Sequence, residues 1–82
     1  MAQLFKVPLL LTPQPEGGYV VTSPVLPELI TEGDTADEAV RNVADALVAV
    51  RELYEDLGRA LPAGLMVDPP GAPIQFEFLT VA

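Results

Sequence analysis

Gly33-Asp34-Thr35-Ala36-Asp37-Glu38-Ala39-Val40 is the stretch of this sequence that decides the fold, because it starts the longest helix. Thr35 precedes Glu38 by three residues, which is the capping-box spacing. In that motif the Thr35 hydroxyl accepts from the Glu38 backbone N–H, and the Glu38 carboxylate reaches back to the Thr35 N–H. Asp37 and Glu38 also place negative charge beside the positive end of the helix dipole. The stretch therefore predicts a helix that begins directly after Thr35.

Apolar spacing predicts that this helix runs from Ala36 to Leu57. Apolar side chains recur three or four residues apart and form one stripe, made of Ala36, Val40, Val43, Leu47, Val50, Tyr54 and Leu57. Gly58 follows, where helices commonly end in a left-handed glycine. The polar face carries Asp37, Arg41, Asp45, Glu52, Glu55 and Asp56. Asp37–Arg41 and Arg51–Glu55 have the spacing of stabilising ion pairs.

Two strands before the helix are predicted to form a hairpin. Leu4 to Thr12 alternates, with Phe5, Val7, Leu9 and Leu11 on one face. Pro8 has no backbone N–H, so this strand is expected to lie at a sheet edge or to carry a bulge there. Tyr19 to Ser23 is the second strand, and the proline- and glycine-rich residues between the two strands predict the turn.

Two further strands complete the prediction. Leu29 to Glu32 is short and follows Pro24 and Pro27, which interrupt regular pairing. Arg59 to Pro73 is predicted to be a loop. Ile74 to Val81 alternates again, and Ile74, Phe76 and Phe78 are expected on its buried face,.

The element order is therefore β-β-β-α-β in one domain, residues 1–82. The fold class is α+β, with one long helix packed on a small sheet in two layers. The other sheet face would carry Leu4, Leu10, Leu79 and Val20. An apolar surplus of that kind suggests a partner or self-association, so a homo-oligomer is expected.

Composition excludes several classes of function. The 82 residues contain no cysteine and no histidine, which removes disulfides, thiolate metal sites and the commonest general base,. The formal net charge is −8, from twelve acidic and four basic residues, which disfavours direct nucleic-acid binding,. This charge suits a basic protein partner, and it is equally compatible with an acidic protein whose charge serves solubility alone. No segment has the pattern of a signal peptide or membrane span, so a cytoplasmic protein is expected.

No catalytic or cofactor site is predicted. The acidic residues Glu32, Asp34, Asp37 and Glu38 could bind a hard metal ion, but the helix cap accounts for the last three without one. Ser23 is the sole serine and Lys6 the sole lysine, and nothing in the sequence pairs them as nucleophile and base,. The protein is therefore expected not to be an enzyme.

Several short motifs together resemble a known family. They are Gly17-Gly18-Tyr19-Val20-Val21, Pro24-x-Leu26-Pro27, Thr31-Glu32-Gly33-Asp34-Thr35, Glu38-Ala39, Asn42, and Glu55-x-x-Gly58-x-x-x-Pro62. In their order and spacing they are similar to the HicB-like antitoxins, the antitoxin halves of bacterial HicA–HicB toxin–antitoxin pairs. The resemblance covers about residues 4 to 62.

The resemblance implies a partial ribonuclease-H-like fold of the HicB antitoxin N-terminal domain type. It also implies that the chain binds and masks a small basic HicA-type toxin that cleaves mRNA, and that it forms dimers or tetramers. Two features depart from the family pattern. Glu28-Leu29 follows Leu26-Pro27 where the family usually has glycine. The chain also ends at Ala82 without the C-terminal DNA-binding domain of many members, so operator binding is not expected.

The predicted function is thus that of an antitoxin without chemistry of its own. The acidic helix face and the sheet edge are the expected binding surfaces, and Glu52, Glu55 and Asp56 are the expected partner-binding residues. One alternative is a stand-alone oligomeric module of the same fold that binds a peptide or small ligand and has no toxin. A second alternative is a degenerate nuclease, which would need a metal-dependent activity.

Overall fold

Three strands and a long helix make up the regular structure of the computed structural model, which describes residues 4–67 and 71–80. The strands form one antiparallel sheet in the order β1-β2-β3. The elements are β1, Leu10–Pro13; β2, Tyr19–Thr22; β3, Ile30–Gly33; and α1, Ala36–Asp56. One turn of 3-10 helix follows at Ala63–Leu65. This arrangement confirms the predicted α+β class with three strands before one long helix.

The sheet register follows from the central strand. Val21 of β2 lies opposite Leu11 of β1 and Thr31 of β3. Val21 is wholly buried, and Leu11 and Thr31 are half-buried on the same face. Because side chains alternate along a strand, this register puts one face of all three strands towards the helix.

The first strand is shorter than predicted, since β1 begins at Leu10 and not at Leu4. The physical reason is Pro8, which has no backbone N–H to donate to a neighbouring strand. β1 lies at the edge of the sheet, which is one of the two positions that the proline predicted. The preceding residues pair elsewhere: Phe5 forms an isolated antiparallel bridge with Met66, and the Lys6 N–H donates to Leu65 O at 2.7 Å. The predicted facing holds for Val7, Leu9 and Leu11, which pack against the core. It does not hold for Phe5, which is 37% exposed.

The helix begins where the capping motif predicts. The Thr35 hydroxyl accepts from the Glu38 N–H at 3.1 Å. The reciprocal bond from the Glu38 carboxylate does not form within the described residues. The helix ends at Asp56, and Leu57 is its cap rather than its last residue.

Gly58 closes the helix in the left-handed conformation, with φ +66°. Its N–H donates to Glu55 O at 3.0 Å, and the Arg59 N–H donates to Tyr54 O at 2.8 Å. These two bonds are the Schellman motif, which satisfies carbonyls that the helix leaves without partners.

The core lies between the sheet and the helix. Val43, Val50 and Tyr54 of the predicted stripe are buried in it, whereas Leu57 is largely exposed because the helix has ended there. The other buried apolar residues are Val21, Leu26, Leu29, Ala39 and Leu65.

The proline-rich segment between β2 and β3 also contributes to the core. Ser23 Oγ accepts from the N–H groups of Val25 and Leu26, both at 3.3 Å. This turn directs Leu26 and Leu29 inwards, and both are essentially without solvent exposure. The two prolines thus interrupt the sheet without interrupting the core.

The predicted fourth strand does not form. No strand is found among residues 71–80, and Ile74, Phe76 and Phe78, which were expected to be buried, are 42%, 76% and 80% exposed. Alternation predicts that one face can be buried, but a strand also needs a neighbour with which to exchange hydrogen bonds, and this segment has none among the described residues of a single chain,. Val81, at the end of this predicted strand, and Asp68 to Pro70, in the predicted loop, lie outside the described residues.

Candidate partner-binding surfaces

The last turns of α1 carry the three residues predicted to bind a partner. Glu52, Glu55 and Asp56 are all exposed there, and the last turn contains no basic residue. The negative end of the helix dipole lies at this end of α1, and acidic side chains are unfavourable there. We call these three residues the acidic helix end.

Ion pairs do not neutralise the acidic helix end within the part of the chain that the structure describes. The predicted Asp37–Arg41 pair forms at 3.4 Å near the other end of the helix. The predicted Arg51–Glu55 pair is not found among the described residues. Arg59, the first base after the helix, has Glu28 as its partner at 4.0 Å.

Beside the acidic helix end, Glu28, Tyr54 and Arg59 form a polar cluster. Tyr54 is buried, as its place in the predicted stripe implied, and its hydroxyl donates to Glu28 Oε2 at 2.9 Å. The Arg59 guanidinium lies 4.7 Å from the centre of the Tyr54 ring, a cation–π geometry,. The hydrogen bond to Glu28 raises the pKa of Tyr54 above its usual 10.0, with added effects of burial and of the Glu28 charge, and Arg59 acts in the opposite direction.

This cluster involves the position at which the chain departs from the family pattern. Glu28 stands where that pattern has glycine, and it connects the proline-rich segment to the end of the helix. The departure is therefore a structural contact in this chain. The contact between Glu28 and Tyr54 was not predictable from the sequence, because the two residues lie far apart in the chain.

A second acidic surface lies at the opposite end of α1, in a cleft of about 460 Å³ between the hairpin turn and the helix start. We call it the acidic cleft. Its acidic lining residues are Glu16, Glu32, Asp34 and Glu38. Asn42 also lines it and donates from Nδ2 to Glu32 O at 2.8 Å.

Three of the acidic residues in this cleft, Glu32, Asp34 and Glu38, belong to the group that could bind a hard metal ion according to the sequence. Asp37, the fourth member of that group, does not line the cleft and forms an ion pair with Arg41. Glu16, in the turn between β1 and β2, lines the cleft with the other three acidic residues. In residues 4–67 and 71–80, no three acidic side chains come close enough to hold a metal ion. The hairpin turn was the sequence signal that could have placed Glu16 there.

A small apolar groove of about 280 Å³ lies along the middle of the helix. Val48 and Arg51 lie on its helical side, and Phe5, Leu61 and Leu65 belong to the segments that cross opposite them. Its volume is at the lower limit of pockets that hold small molecules. The groove contains no titratable group other than Arg51.

The two residues considered for nucleophilic catalysis have other surroundings. Ser23 is buried and accepts two backbone N–H groups. Lys6 lines a different cleft, beside residues 76–79. Among the described residues, no helix combines the length and the apolar composition needed to cross a membrane.

Comparison with known proteins identifies curated relatives of this chain. Over 57 residues the chain is 40% identical to Antitoxin HicB 1 of Photorhabdus laumondii, a match that covers 70% of this chain and 37% of that protein. It is 39% identical to Antitoxin HicB of Escherichia coli K12 over 57 residues, covering 70% of this chain and 41% of that protein. The match thus spans about two fifths of the length of these curated relatives. No protein-family model matches the chain.

Proposed function

Because this chain belongs to the HicB-like antitoxin family, we propose that it is the antitoxin of a toxin–antitoxin pair and masks a small basic HicA-type toxin. It acts by covering its partner in the cytoplasm, where the mRNA substrate of such a toxin is found. It contributes no catalytic group of its own.

The observation that carries the proposal is the acidic helix end. Glu55 and Asp56 lie in the last turn, at the negative end of the helix dipole, where each carboxylate typically lowers helix stability by about 0.3–1 kcal/mol, and Glu52 lies one turn earlier. They are exposed and without an ion-pair partner in the described residues. Acids that destabilise their own helix are better explained by a role towards a partner than by a role in the fold.

The charge of the whole chain supports a basic partner. A formal net charge of −8 attracts a basic protein over several ångströms and repels competing nucleic acid,. The toxin is then held by contacts of the acidic helix end with its Lys and Arg side chains. Since exposed charge pairs are screened by salt, this association weakens as ionic strength rises.

The decisive experiment uses this chain and the small basic protein encoded beside it. Binding is measured by calorimetry at 50 and 150 mM salt, and RNA cleavage by the basic protein is measured with and without this chain. We expect a stable complex and loss of cleavage at one equivalent of this chain.

Matched variants then locate the surface. The triple variant Glu52→Gln, Glu55→Gln, Asp56→Asn removes three charges from the acidic helix end. The control Glu16→Gln, Glu32→Gln, Asp34→Asn removes three charges from the acidic cleft, so both variants change the formal net charge from −8 to −5. We expect the first to weaken binding by about 10- to 100-fold, as for several interface charges, and the control to weaken it by less than about threefold.

The outcomes separate the proposals. Equal losses in the two variants would show that only the overall charge matters and would reject the acidic helix end. A larger loss in the control would assign the toxin to the acidic cleft. Failure of the two wild-type proteins to associate at 50 mM salt would reject the antitoxin function and leave the stand-alone binding module as the better interpretation.

A further inference from the structure

We propose that residues 74–80 of two copies of this chain pair with each other as an antiparallel two-stranded ribbon, with Phe76 opposite Phe76 of the second copy. The ribbon provides the neighbour that the segment does not have among the described residues of one chain. The sequence predicts a homo-oligomer, and this segment is the surface on which we place it.

Exposure of large apolar side chains is greatest in this segment. Phe76 and Phe78 are 76% and 80% exposed, more than any other large hydrophobic residue in the described part of the chain. Ile74 and Leu79 are also exposed, at 42% and 55%. Such a concentration of apolar surface on a protein usually marks a contact with another molecule.

The backbone of the segment is also free to pair. Within the described residues, none of the amides or carbonyls of residues 74–80 takes part in a backbone hydrogen bond outside helices and strands, and the segment belongs to no strand. Ile74, Phe76 and Phe78 alternate with Gln75 and Glu77, which is the pattern of a strand with one apolar face,. A second strand would pair with the backbone groups along one edge of the segment and would bring the aromatic side chains of the two copies into contact with one another.

Charge favours a second copy at this place. Two chains that each carry a net charge of −8 repel one another, so they can associate only through a surface of low charge,. Glu77 is the only charged residue among residues 71–80. A basic toxin, by contrast, would gain little from this segment and more from either acidic surface.

The positions of charge also select one register. If Glu77 lay opposite Glu77 of the second copy, two like charges would face each other, which is destabilising. Moving the two-fold axis to Phe76 removes that conflict and places Gln75 opposite Glu77, an amide opposite a carboxylate. Ile74 then lies opposite Phe78, so each cross-strand pair on the apolar face is apolar. This symmetric arrangement is the self-complementary contact expected of a two-fold dimer.

The apolar area of this face suits a weak, reversible dimer. An aromatic side chain can bury about 150–250 Å². Phe76 and Phe78 are mostly exposed and Ile74 is 42% exposed, so the apolar faces of two copies present about 700–800 Å² together, which is in the range of weak and transient interfaces. An open cleft of about 600 Å³ lies between this segment and the body of the chain, with Leu9, Leu11 and Val40 in its lining. The ribbon would cover this cleft as well.

The first test is the oligomeric state of the full chain, by sedimentation velocity from 1 to 500 µM. We expect a reversible dimer. The double variant Phe76→Thr, Phe78→Thr keeps strand propensity and removes the aromatic contact, and we expect the dissociation constant to rise by at least about 100-fold, as for interface aromatic residues. The control Ile30→Thr changes a residue that is 65% exposed on β3, and we expect it to leave the dimer unchanged.

The second test determines the register, and the absence of cysteine from the chain makes it direct. Facing strand residues have Cα atoms within the distance that a disulfide spans, whereas residues displaced by two positions do not. We expect Phe76→Cys to form a disulfide-linked dimer under mild oxidation and Glu77→Cys, in the same segment, to form little.

Three results would overturn the proposal. A wild-type chain that stays monomeric at 500 µM excludes the ribbon and implies that the segment closes on its own chain. A double variant that still dimerises assigns the contact to another face. Faster crosslinking at position 77 than at position 76 rejects the register. None of these results depends on toxin binding, so the antitoxin proposal is tested separately.

Discussion

At Gly33 the backbone of the sheet and the backbone of the helix lie in close contact. Gly33 ends β3, and a Cβ atom built on it would lie 2.7 Å from Ala39 Cα and closer still to Ala39 N. Both atoms belong to the backbone of the first helical turns, so no side-chain movement could relieve the clash. The close approach requires glycine for space, because the φ angle of Gly33 is not in the left-handed region.

Replacement of Gly33 by alanine is therefore expected to destabilise the fold. We expect Gly33→Ala to lower the free energy of unfolding by about 1–3 kcal/mol, the usual cost of forcing extra volume into a packed site, measured by urea denaturation. The matched control is Gly64→Ala, where a Cβ would meet nothing within 4 Å. A loss at Gly64 equal to that at Gly33 would contradict the steric explanation.

Tyr54 provides a second prediction at the level of a residue, concerning pH. Its pKa is raised above 10.0, chiefly by the hydrogen bond to Glu28, so the folded chain holds the phenolic proton more tightly than the unfolded chain does. The stability that this contributes is fully present below pH 10.0 and is lost as the pH rises through the higher pKa of the folded state. We expect Glu28→Gln to lower the pKa of Tyr54, measured by ultraviolet titration of the phenolate. An unchanged titration curve would contradict the assigned cause.

At the level of an element, α1 has a favourable start and an unfavourable end. Asp37 and Glu38 lie in its first turn, where the helix dipole favours negative charge,. Glu55 and Asp56 lie at the other end, where it does not, and Gly58 closes the helix without help from a basic side chain. The helix thus has charges that stabilise it at one end only.

This asymmetry predicts opposite effects of one variant on folding and binding. The triple variant Glu52→Gln, Glu55→Gln, Asp56→Asn is expected to raise the free energy of unfolding by about 1 kcal/mol, or about 4–8 °C in Tm for a domain of this size. Thermal unfolding of the isolated chain by circular dichroism measures this effect. A fall in Tm would mean that the acids stabilise the helix, and it would remove the main argument for their role in binding.

The elements that were predictable from sequence are those defined by local contacts. Thr35 and Gly58 determine both ends of α1 through hydrogen bonds to residues within five positions, so their motifs sufficed. The start of β1 and the state of residues 74–80 depend on which distant backbone is available for pairing, and alternation alone carries no information about that. For the same reason the acidic cleft, which needs Glu16 to be brought to the helix start, was not recognised from the sequence.

For the molecule as a whole, stability depends on a small core. Eight apolar residues are buried in the described part of the chain, and Leu29 is among those with no exposure. Domains of this size have a small free energy of unfolding. Losing one large buried side chain should therefore remove much of it.

Adjacent leucine and isoleucine residues test this statement. We expect Leu29→Ala to lower the free energy of unfolding by about 2–5 kcal/mol, because it leaves a cavity in the core. Its neighbour Ile30, of equal size, is 65% exposed, and we expect Ile30→Ala to cost less than about 1 kcal/mol,. Urea denaturation of both variants is the measurement, and similar losses would contradict the assignment of Leu29 to the core.

The bridge between Phe5 and Met66 has a consequence for the order of folding events. The hairpins and the helix form through contacts between residues near in sequence, which are fast. The bridge joins the two ends of the described fold, so the residues between them form one long closed loop. Closing this loop costs conformational entropy, and that cost is offset only after the intervening strands and helix have formed. Residues 4–6 and 65–67 should therefore be the last part of the core to form and the first to open. During refolding, the sheet and the helix would therefore be assembled before these two end segments meet.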